Sequence, residues 1–417
     1  MGAGTLVIGA SQAGLQLAVS LRDAGDTAPI TLVGEEPHAP YQRPPLSKAY
    51  LQGDAELGQL LLRAPEFLAD NDITLLTGDR IESVELHNGG PSGSAITSGG
   101  RVLSFERLAL TVGARPRRLP VPGAQLGGVA YLRTADDAAA LRAMQAGAES
   151  VVVIGGGFIG LEAAAVARAQ GKAVTVVEAA DRLIGRAVAP VISEFYRAAH
   201  TRRGVDIRLG AQVTSLGGER GTVSEVRLGD GTKIPADLVI VGIGVEPRTE
   251  LALQLGLQTA GGIVVDRHAR TSNPGIVAAG DCTRQPHPVT GDGLVRLESV
   301  QNAVSQAKAA AATLMGRREA NDAVPWFWSD QYDLKLQIAG LSAGHTGHVV
   351  RGDIDGESFS VLYYRDGALL AVDAVNSGAD YMAVRKALTQ GATIPAETAA
   401  DTRLRLRELI VPRAVGA

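Results

Sequence analysis

One cysteine, Cys282, is all that the 417 residues contain. A single thiol excludes an internal disulfide framework and an intramolecular dithiol redox centre. Such a chain suits a reducing cytoplasm, which is the expected location. Long apolar runs are also missing: the longest are short and broken by Gly, so none is expected to span a bilayer. No basic region precedes the first apolar run, so no signal peptide is expected. Basic residues are not in excess. With a formal charge of −4, neither nucleic acid nor membrane is an expected partner. The seven histidines are scattered. His345 and His348 stand three apart, but Gly347 lies between them and no Cys or acidic cluster is near, so they read as surface-loop residues and no metal is expected.

What is present points to a large α/β protein. The length exceeds one ordinary domain, and 45% apolar residues suffice for several cores. The 51 glycines favour tight turns and close backbone approaches. Residues 5–8 form an apolar strand, followed by a Gly turn, a helical pattern at Leu15, Leu17, Ala18 and Leu21, and a second strand at 30–33. That is a βαβ unit. The Pro-rich stretch 37–45 reads as irregular and extended. Residues 87–100 read as a long hairpin tip, 108–112 as a buried strand, and Pro116, Pro120 and Pro122 as a linker. The opening pattern then returns: strand 151–154, a Gly turn, helix 158–169, strand 174–177. A hairpin over 213–227 is expected to turn at Gly217-Gly218. Strands at 238–241 and 276–279 end in Gly242-Ile243-Gly244 and Gly280-Asp281. Beyond Pro325, alternation at 335–339, 359–363 and 369–372 predicts an antiparallel sheet, with a helix over 381–389.

Two glycine turns carry nucleotide-binding chemistry. Gly155-Gly156-Gly157-Phe158-Ile159-Gly160 stands between a strand and a helix. In this fingerprint Gly155 permits the turn, Gly157 lets a pyrophosphate approach, and Gly160 lets helix and strand pack closely. The helix N-terminus then offers free N–H groups to the phosphates. Glu178 ends the next strand, where an acid accepts hydrogen bonds from an adenosine ribose. The first turn, Gly9-Ala10-Ser11-Gln12-Ala13-Gly14, has Ser11 in place of the second Gly, with Glu35 within reach of a ribose and Glu36 as a possible substitute. Two fingerprints imply two nucleotide ligands. A nicotinamide gives up two electrons together, and a flavin can accept the pair and release them singly.

Four stretches carry a resemblance: Tyr41-Gln42-Arg43-Pro44-Pro45-Leu46-Ser47-Lys48, Gly155 to Gly160 with Glu162, Ala279-Gly280-Asp281-Cys282, and Pro325-Trp326-Phe327-Trp328-Ser329-Asp330-Gln331-Tyr332. They extend over nearly the whole chain. The sequence resembles the two-dinucleotide-domain flavoproteins of the glutathione reductase superfamily. Within these it resembles the bacterial NADH-dependent ferredoxin reductases of cytochrome P450 and Rieske oxygenase systems.

The resemblance implies non-covalent FAD, NADH as electron donor, and a transient, acidic [2Fe–2S] ferredoxin as acceptor. A monomer or weak dimer is expected. The implied fold is two Rossmann-like dinucleotide-binding domains plus a C-terminal α+β domain: a discontinuous FAD domain over 1–116 and 245–322, an NADH domain over 117–244, and the last domain over 323–417. Lys48, Glu162 and Trp328 are the implied catalytic residues. Lys48 would lie near the flavin, Glu162 beside the nicotinamide and Trp328 against both. Gly9, Ser11, Ala13 and Gly14 would hold the FAD pyrophosphate, with Glu35 on its ribose and Asp281 on the ribityl chain. Arg43, Ile81, Arg133 and Val300 match further FAD positions. Gly155, Gly157, Ile159, Gly160, Glu178 and Gly244 fall to NADH. Arg296, Lys335, Arg403, Arg405 and Arg407 are the candidate cations for docking the acceptor. Disulfide-reducing relatives carry a Cys pair and oxygen-reducing ones a Cys near Ser47, and this chain has neither. Two alternatives stay open: an NADH oxidase or quinone reductase, and a non-enzymatic flavin-bearing signalling protein.

Overall fold

A strand buried on both faces must be largely apolar, and Thr5–Ile8, apolar after its first residue, is buried throughout. The computed structural model describes residues 3–64, 66–87, 90–288, 291 and 293–413. They pack as two compact units, one from 1–42, 57–115 and 245–325, the other from 43–56, 116–244 and 326–417.

In the first unit a five-stranded parallel sheet runs in the order Ile276–Ala278, Arg107–Leu110, Thr5–Ile8, Ile30–Val33, Ile73–Leu76. Val7 lies opposite Leu32 on one side and Ala109 on the other. Helices Gln12–Asp23 and Val300–Leu314 pack on one face through Leu17, Leu21, Ala307 and Ala310. The other face buries Leu6, Ile8, Leu108 and Cys282. A small antiparallel sheet joins Ile81–Leu86, Gly93–Thr97 and Val102–Phe105. The stretch 87–100 is therefore not one long hairpin tip. Its small residues alternate, with Gly93, Ala95 and Thr97 buried and Ile96 exposed, and that alternation makes a strand. Asn88 and Gly89, within the expected tip, lie outside the described residues.

The second unit repeats the parallel design in the order Val205–Arg208, Ala173–Val177, Ser150–Ile154, Leu238–Val241, Val129–Tyr131. Helix Phe158–Ala169 follows the central strand, and helix Ala135–Gly147 starts at a capping box between Thr134 and Asp137. The hairpin of Val213–Glu219 and Thr222–Leu228 turns at Arg220-Gly221, and Gly217-Gly218 instead lie within the first strand at a register shift. An antiparallel sheet of order Trp326–Gln331, Leu334–Gly340, Ala368–Val375, Ser358–Arg365, Gly347–Asp353 carries helix Gly378–Thr389. His348 belongs to the last of these strands rather than to a loop, and the His345 ring meets Tyr363 at 5.1 Å. Within the Pro-rich segment, Pro44–Ser47 is a turn of 3₁₀-helix, because its two prolines pre-set the backbone angle of the first helical positions. Two parallel nucleotide-type sheets and an antiparallel C-terminal sheet make the expected α/β class. Among the described residues no helix is long and apolar enough to cross a membrane.

Candidate functional site

Both glycine turns are built the same way. Gly9 and Gly155 adopt φ of 116° and 108°, which an L side chain rarely adopts. A Cβ on Gly14 would stand 2.0 Å from Gly9 O, and one on Gly160 would stand 2.1 Å from Gly155 O. Only glycine lets each helix approach its turn so closely. At Gly157, the N-cap of helix Phe158–Ala169, a Cβ would meet nothing within 4 Å. The backbone there leaves open space in front of free helix N–H groups, which fits a dinucleotide pyrophosphate. Ser11 is the N-cap of the first helix, with an extended backbone.

Around the first turn the first unit gathers several expected residues. A Cβ on Gly280 would be 3.2 Å from Ala13 Cβ and 3.8 Å from Ala303 Cβ. The starts of helices Gln12–Asp23 and Val300–Leu314 therefore meet at Gly280-Asp281. Gln306 Oε1 fixes this junction by accepting from Gly280 N at 2.8 Å and Thr283 Oγ1 at 2.9 Å. Ser299 caps the helix that Val300 begins, accepting from Asn302 N. Glu35 forms an ion pair with Arg248, a partner that sequence reasoning missed. Glu36 accepts a 2.5 Å hydrogen bond from Tyr41 Oη. Ile81 lies in the unit's core at 4% exposure. Cys282, beside Asp281, is fully buried, and burial pushes its thiol up to about 12. It packs among the apolar side chains of this face of the sheet, with its thiol held in the protonated, less reactive form.

In the second unit Glu178 is held by two backbone donors: Gly156 N at 2.6 Å and Ala180 N at 2.8 Å. Nearby Arg182 is committed elsewhere, donating to Gly185 O at 2.5 Å, Val188 O at 2.7 Å and Ser193 Oγ at 3.2 Å. Ile159 is 44% exposed on the helix start. Gly244, at φ 96°, has Arg186 Nη2 3.3 Å from its Cβ position. Arg43 Nη1 donates to Arg133 O at 2.8 Å, and Arg133 N donates to Asp137 at 3.1 Å.

The same unit brings Lys48 and Glu162 together. Lys48 Nζ lies 2.8 Å from Glu162 Oε2. Glu162 is no surface residue of its helix: it is 2% exposed. Ser47 Oγ donates to its Oε2 at 2.5 Å and Ser329 Oγ to its Oε1 at 2.6 Å. Burial pushes the Glu162 carboxyl above the usual carboxylate range, and Lys48 opposes that shift. Phe158 and Glu162, one turn apart on the helix, face Phe327 and Ser329 on strand Trp326–Gln331, with the two phenyl rings 4.6 Å apart. Trp328 points to the opposite face of that strand, its ring 5.6 Å from Trp326. Neither Ser47 nor Ser329 stood out as functional in the sequence. The only signal was their place within the two quoted stretches.

The pyridine nucleotide-disulphide oxidoreductase family model matches residues 4–307, and the reductase C-terminal model matches residues 326–410. Rhodocoxin reductase of Rhodococcus erythropolis is 48% identical over 402 residues, covering 96% of this chain and 93% of that protein. The crystal structure of the ferredoxin reductase for the CYP199A2 system of Rhodopseudomonas palustris has a TM-score of 0.94 at 43% identity, covering 98% of this chain and all of that one. The covalent putidaredoxin reductase–putidaredoxin complex gives a TM-score of 0.91 at 40% identity, covering 97% of each chain. With both nucleotide turns inside the matched span, this chain belongs to the pyridine nucleotide-disulphide oxidoreductase family, with a reductase C-terminal domain.

Proposed function

We propose that this protein takes electrons from NADH and delivers them one at a time to a [2Fe–2S] ferredoxin that serves a cytochrome P450 or Rieske oxygenase. The observation that carries the proposal is the lone, buried Cys282 in a chain with two dinucleotide turns. With no second thiol, electrons must leave for a separate acceptor, and a chain with one Cys cannot build a Cys₄ cluster of its own. Bound FAD supplies the conversion of a two-electron donor into single-electron output.

The chain's residues then have distinct tasks. Gly9, Ser11, Ala13 and Gly14 hold the FAD pyrophosphate, Glu35 its ribose, and Asp281 with the start of helix Val300–Leu314 its ribityl end. Arg43, Ile81 and Arg133 complete that set. Gly155, Gly157, Ile159, Gly160, Glu178 and Gly244 hold NADH. Lys48 places a positive charge where reduced flavin is anionic, and Glu162 fixes the Lys48 ammonium. Trp328 packs against the cofactors. We divide the chain into an FAD domain over 1–116 and 245–322, an NADH domain over 117–244 and a C-terminal domain over 323–417, working in the cytoplasm.

Docking of an acidic ferredoxin needs local positive charge. Arg296 is spent on Glu298 at 2.7 Å, Arg403 on Asp401 at 2.7 Å and Arg407 on Glu408 at 3.8 Å. Lys335 and Arg405, both exposed, are the better candidates. The test is steady-state reduction of an acidic [2Fe–2S] ferredoxin by NADH across a salt series, with ferricyanide as control. The specificity constant for ferredoxin should fall with salt, screened over a Debye length of about 10 Å at 0.1 M, while flavin reduction by NADH changes little. Rapid quinone turnover with no ferredoxin turnover would overturn the proposal.

A further inference from the structure

Behind Glu162 lies a run of buried polar groups that the reaction above does not use. Ser329 Oγ, which donates to Glu162 Oε1, is itself 3.2 Å from Gln331 Nε2. Gln331 Oε1 is 2.8 Å from His200 Nε2. Tyr332 Oη is 3.4 Å from His200 Nδ1. Ser329, Gln331 and His200 are all fully buried. His200 comes from helix Pro190–Arg202, and the other groups come from strand Trp326–Gln331 and the turn after it. At the outer end the Arg203 guanidinium lies 5.1 Å over the Tyr332 ring and pairs with Glu357 and Asp333.

The direction of every bond follows from Glu162. Lys48 Nζ at 2.8 Å makes Glu162 the anionic half of an ion pair, and an ionised carboxylate can only accept, so Ser329 must donate to it. The Ser329 oxygen is then left to accept from the Gln331 amide nitrogen. That turns the Gln331 carbonyl toward His200, whose Nε2 must carry the proton. Its Nδ1 is free to accept from Tyr332. His200 is neutral throughout, because burial holds its pKa down to about 4. We infer that Tyr332, His200, Gln331 and Ser329 form a one-way hydrogen-bond chain whose polarity is set by the Glu162 carboxylate, and that Ser329, Gln331 and His200 are positioning residues for Glu162 and, through it, for Lys48. A buried polar network with every member satisfied fixes one geometry, and a broken link leaves its neighbour unpaired. The positioning role rests on the function proposed above. The polarity of the chain does not.

The polarity is read from the tautomer of His200. Long-range proton–nitrogen spectra of the flavin-bound protein, labelled in its histidines and assigned with His200→Gln, should show His200 as a single neutral Nε2–H form. Glu162→Gln replaces an acceptor with a group that can also donate. Ser329 and the Gln331 amide can then reverse, and His200 should move to Nδ1–H or to a mixture. An Nδ1–H form in the unmodified protein, or an unchanged tautomer in Glu162→Gln, overturns the one-way chain. The positioning role is read from single-turnover reduction by NADH. Measured well below its own, lowered, melting temperature and with FAD still bound, Ser329→Ala should slow it roughly tenfold, and Ser329→Thr, which restores the hydroxyl, should return it to within about twofold. A full rate in Ser329→Ala overturns the positioning role. If the unmodified protein is not reduced by NADH at all, the proposed function fails while the His200 tautomer still decides the chain.

Discussion

Tyr363 Oη donates to Asp373 Oδ2 at 2.6 Å between two central strands of the C-terminal sheet, and Asp373 Oδ1 has no hydrogen-bond partner among the described residues. Asp373 is fully buried, and that burial pushes its pKa from 3.8 up to about 7. The sign follows from proton counts. Between pH 4 and 7, roughly, the folded protein keeps a proton that the unfolded chain has lost. Stability therefore falls as pH rises through that window and levels off above it, by an amount on the order of 4 kcal/mol. Asp373→Asn removes the ionisation. Its melting temperature should exceed the parent's at pH 8, with the gap narrowing toward pH 4.5. A gap that stays constant between those values would show that Asp373 does not titrate there.

If Glu178 meets the adenosine ribose as proposed, it should set the choice of nicotinamide cofactor. Its carboxylate is pinned by Gly156 N and Ala180 N, so it cannot swing away from a 2′-phosphate, and Arg182 is occupied by Gly185 O and Val188 O. NADH should be preferred over NADPH by roughly five- to 150-fold in specificity constant, the range that about 1–3 kcal/mol of charge interaction gives. Glu178→Gln should narrow the ratio mainly by improving NADPH. Equal kinetics with both cofactors in the parent would refute this assignment.

Cys282→Ser should keep most ferredoxin reduction. The thiol lies 3.4 Å from Ala279 O and 3.7 Å from Leu110 O, and a hydroxyl can donate to the same carbonyls. A thiol reagent should label nothing in the native protein and one group after denaturation. Loss of turnover with FAD still bound would mean that the thiol takes part in the chemistry.

Arg351 anchors the chain end. It is 7% exposed and donates to Asp380 Oδ2, Ala399 O, Asp401 O and Leu404 O at 3.1, 3.2, 2.6 and 2.8 Å. Arg351→Ala takes this partner from Asp380 and this donor from Ala399 O and Leu404 O, while Asp401 O keeps Leu404 N at 3.1 Å, at a cost of about 3–5 kcal/mol. Protease should then cut within 396–413 well before it attacks the rest of the chain. Equal resistance in parent and variant would show that apolar packing around Leu406 holds the segment.

Both nucleotide-type sheets were legible from local pattern, because a strand, a Gly turn and a helix sit side by side in the chain. So was the C-terminal sheet, from alternation alone. The hairpin tip was not. Gly217-Gly218 looks like a turn, but Arg220-Gly221 makes it, both at positive φ, matching the twist of the flanking strands. Gly217 and Gly218 are needed for closeness instead: a Cβ there would strike Glu225 and Thr222 at 2.6 and 2.5 Å. The surroundings of Glu162 were equally hidden. Ser47, Ser329, Gln331 and His200 come from three distant stretches, and no local spacing joins them. Likewise, nothing near Glu35 announces Arg248.

The strand order of the first sheet has a consequence for synthesis on the ribosome. Arg107–Leu110 needs Ile276–Ala278 as its outer neighbour. At about 5–20 residues per second, that neighbour emerges roughly ten to thirty seconds later. Meanwhile every strand of the second parallel sheet, from Val129–Tyr131 to Leu238–Val241, has been made. The sheet begun first is therefore finished second. Until then Arg107–Leu110 is a bare, apolar edge open to pairing with a neighbouring nascent chain.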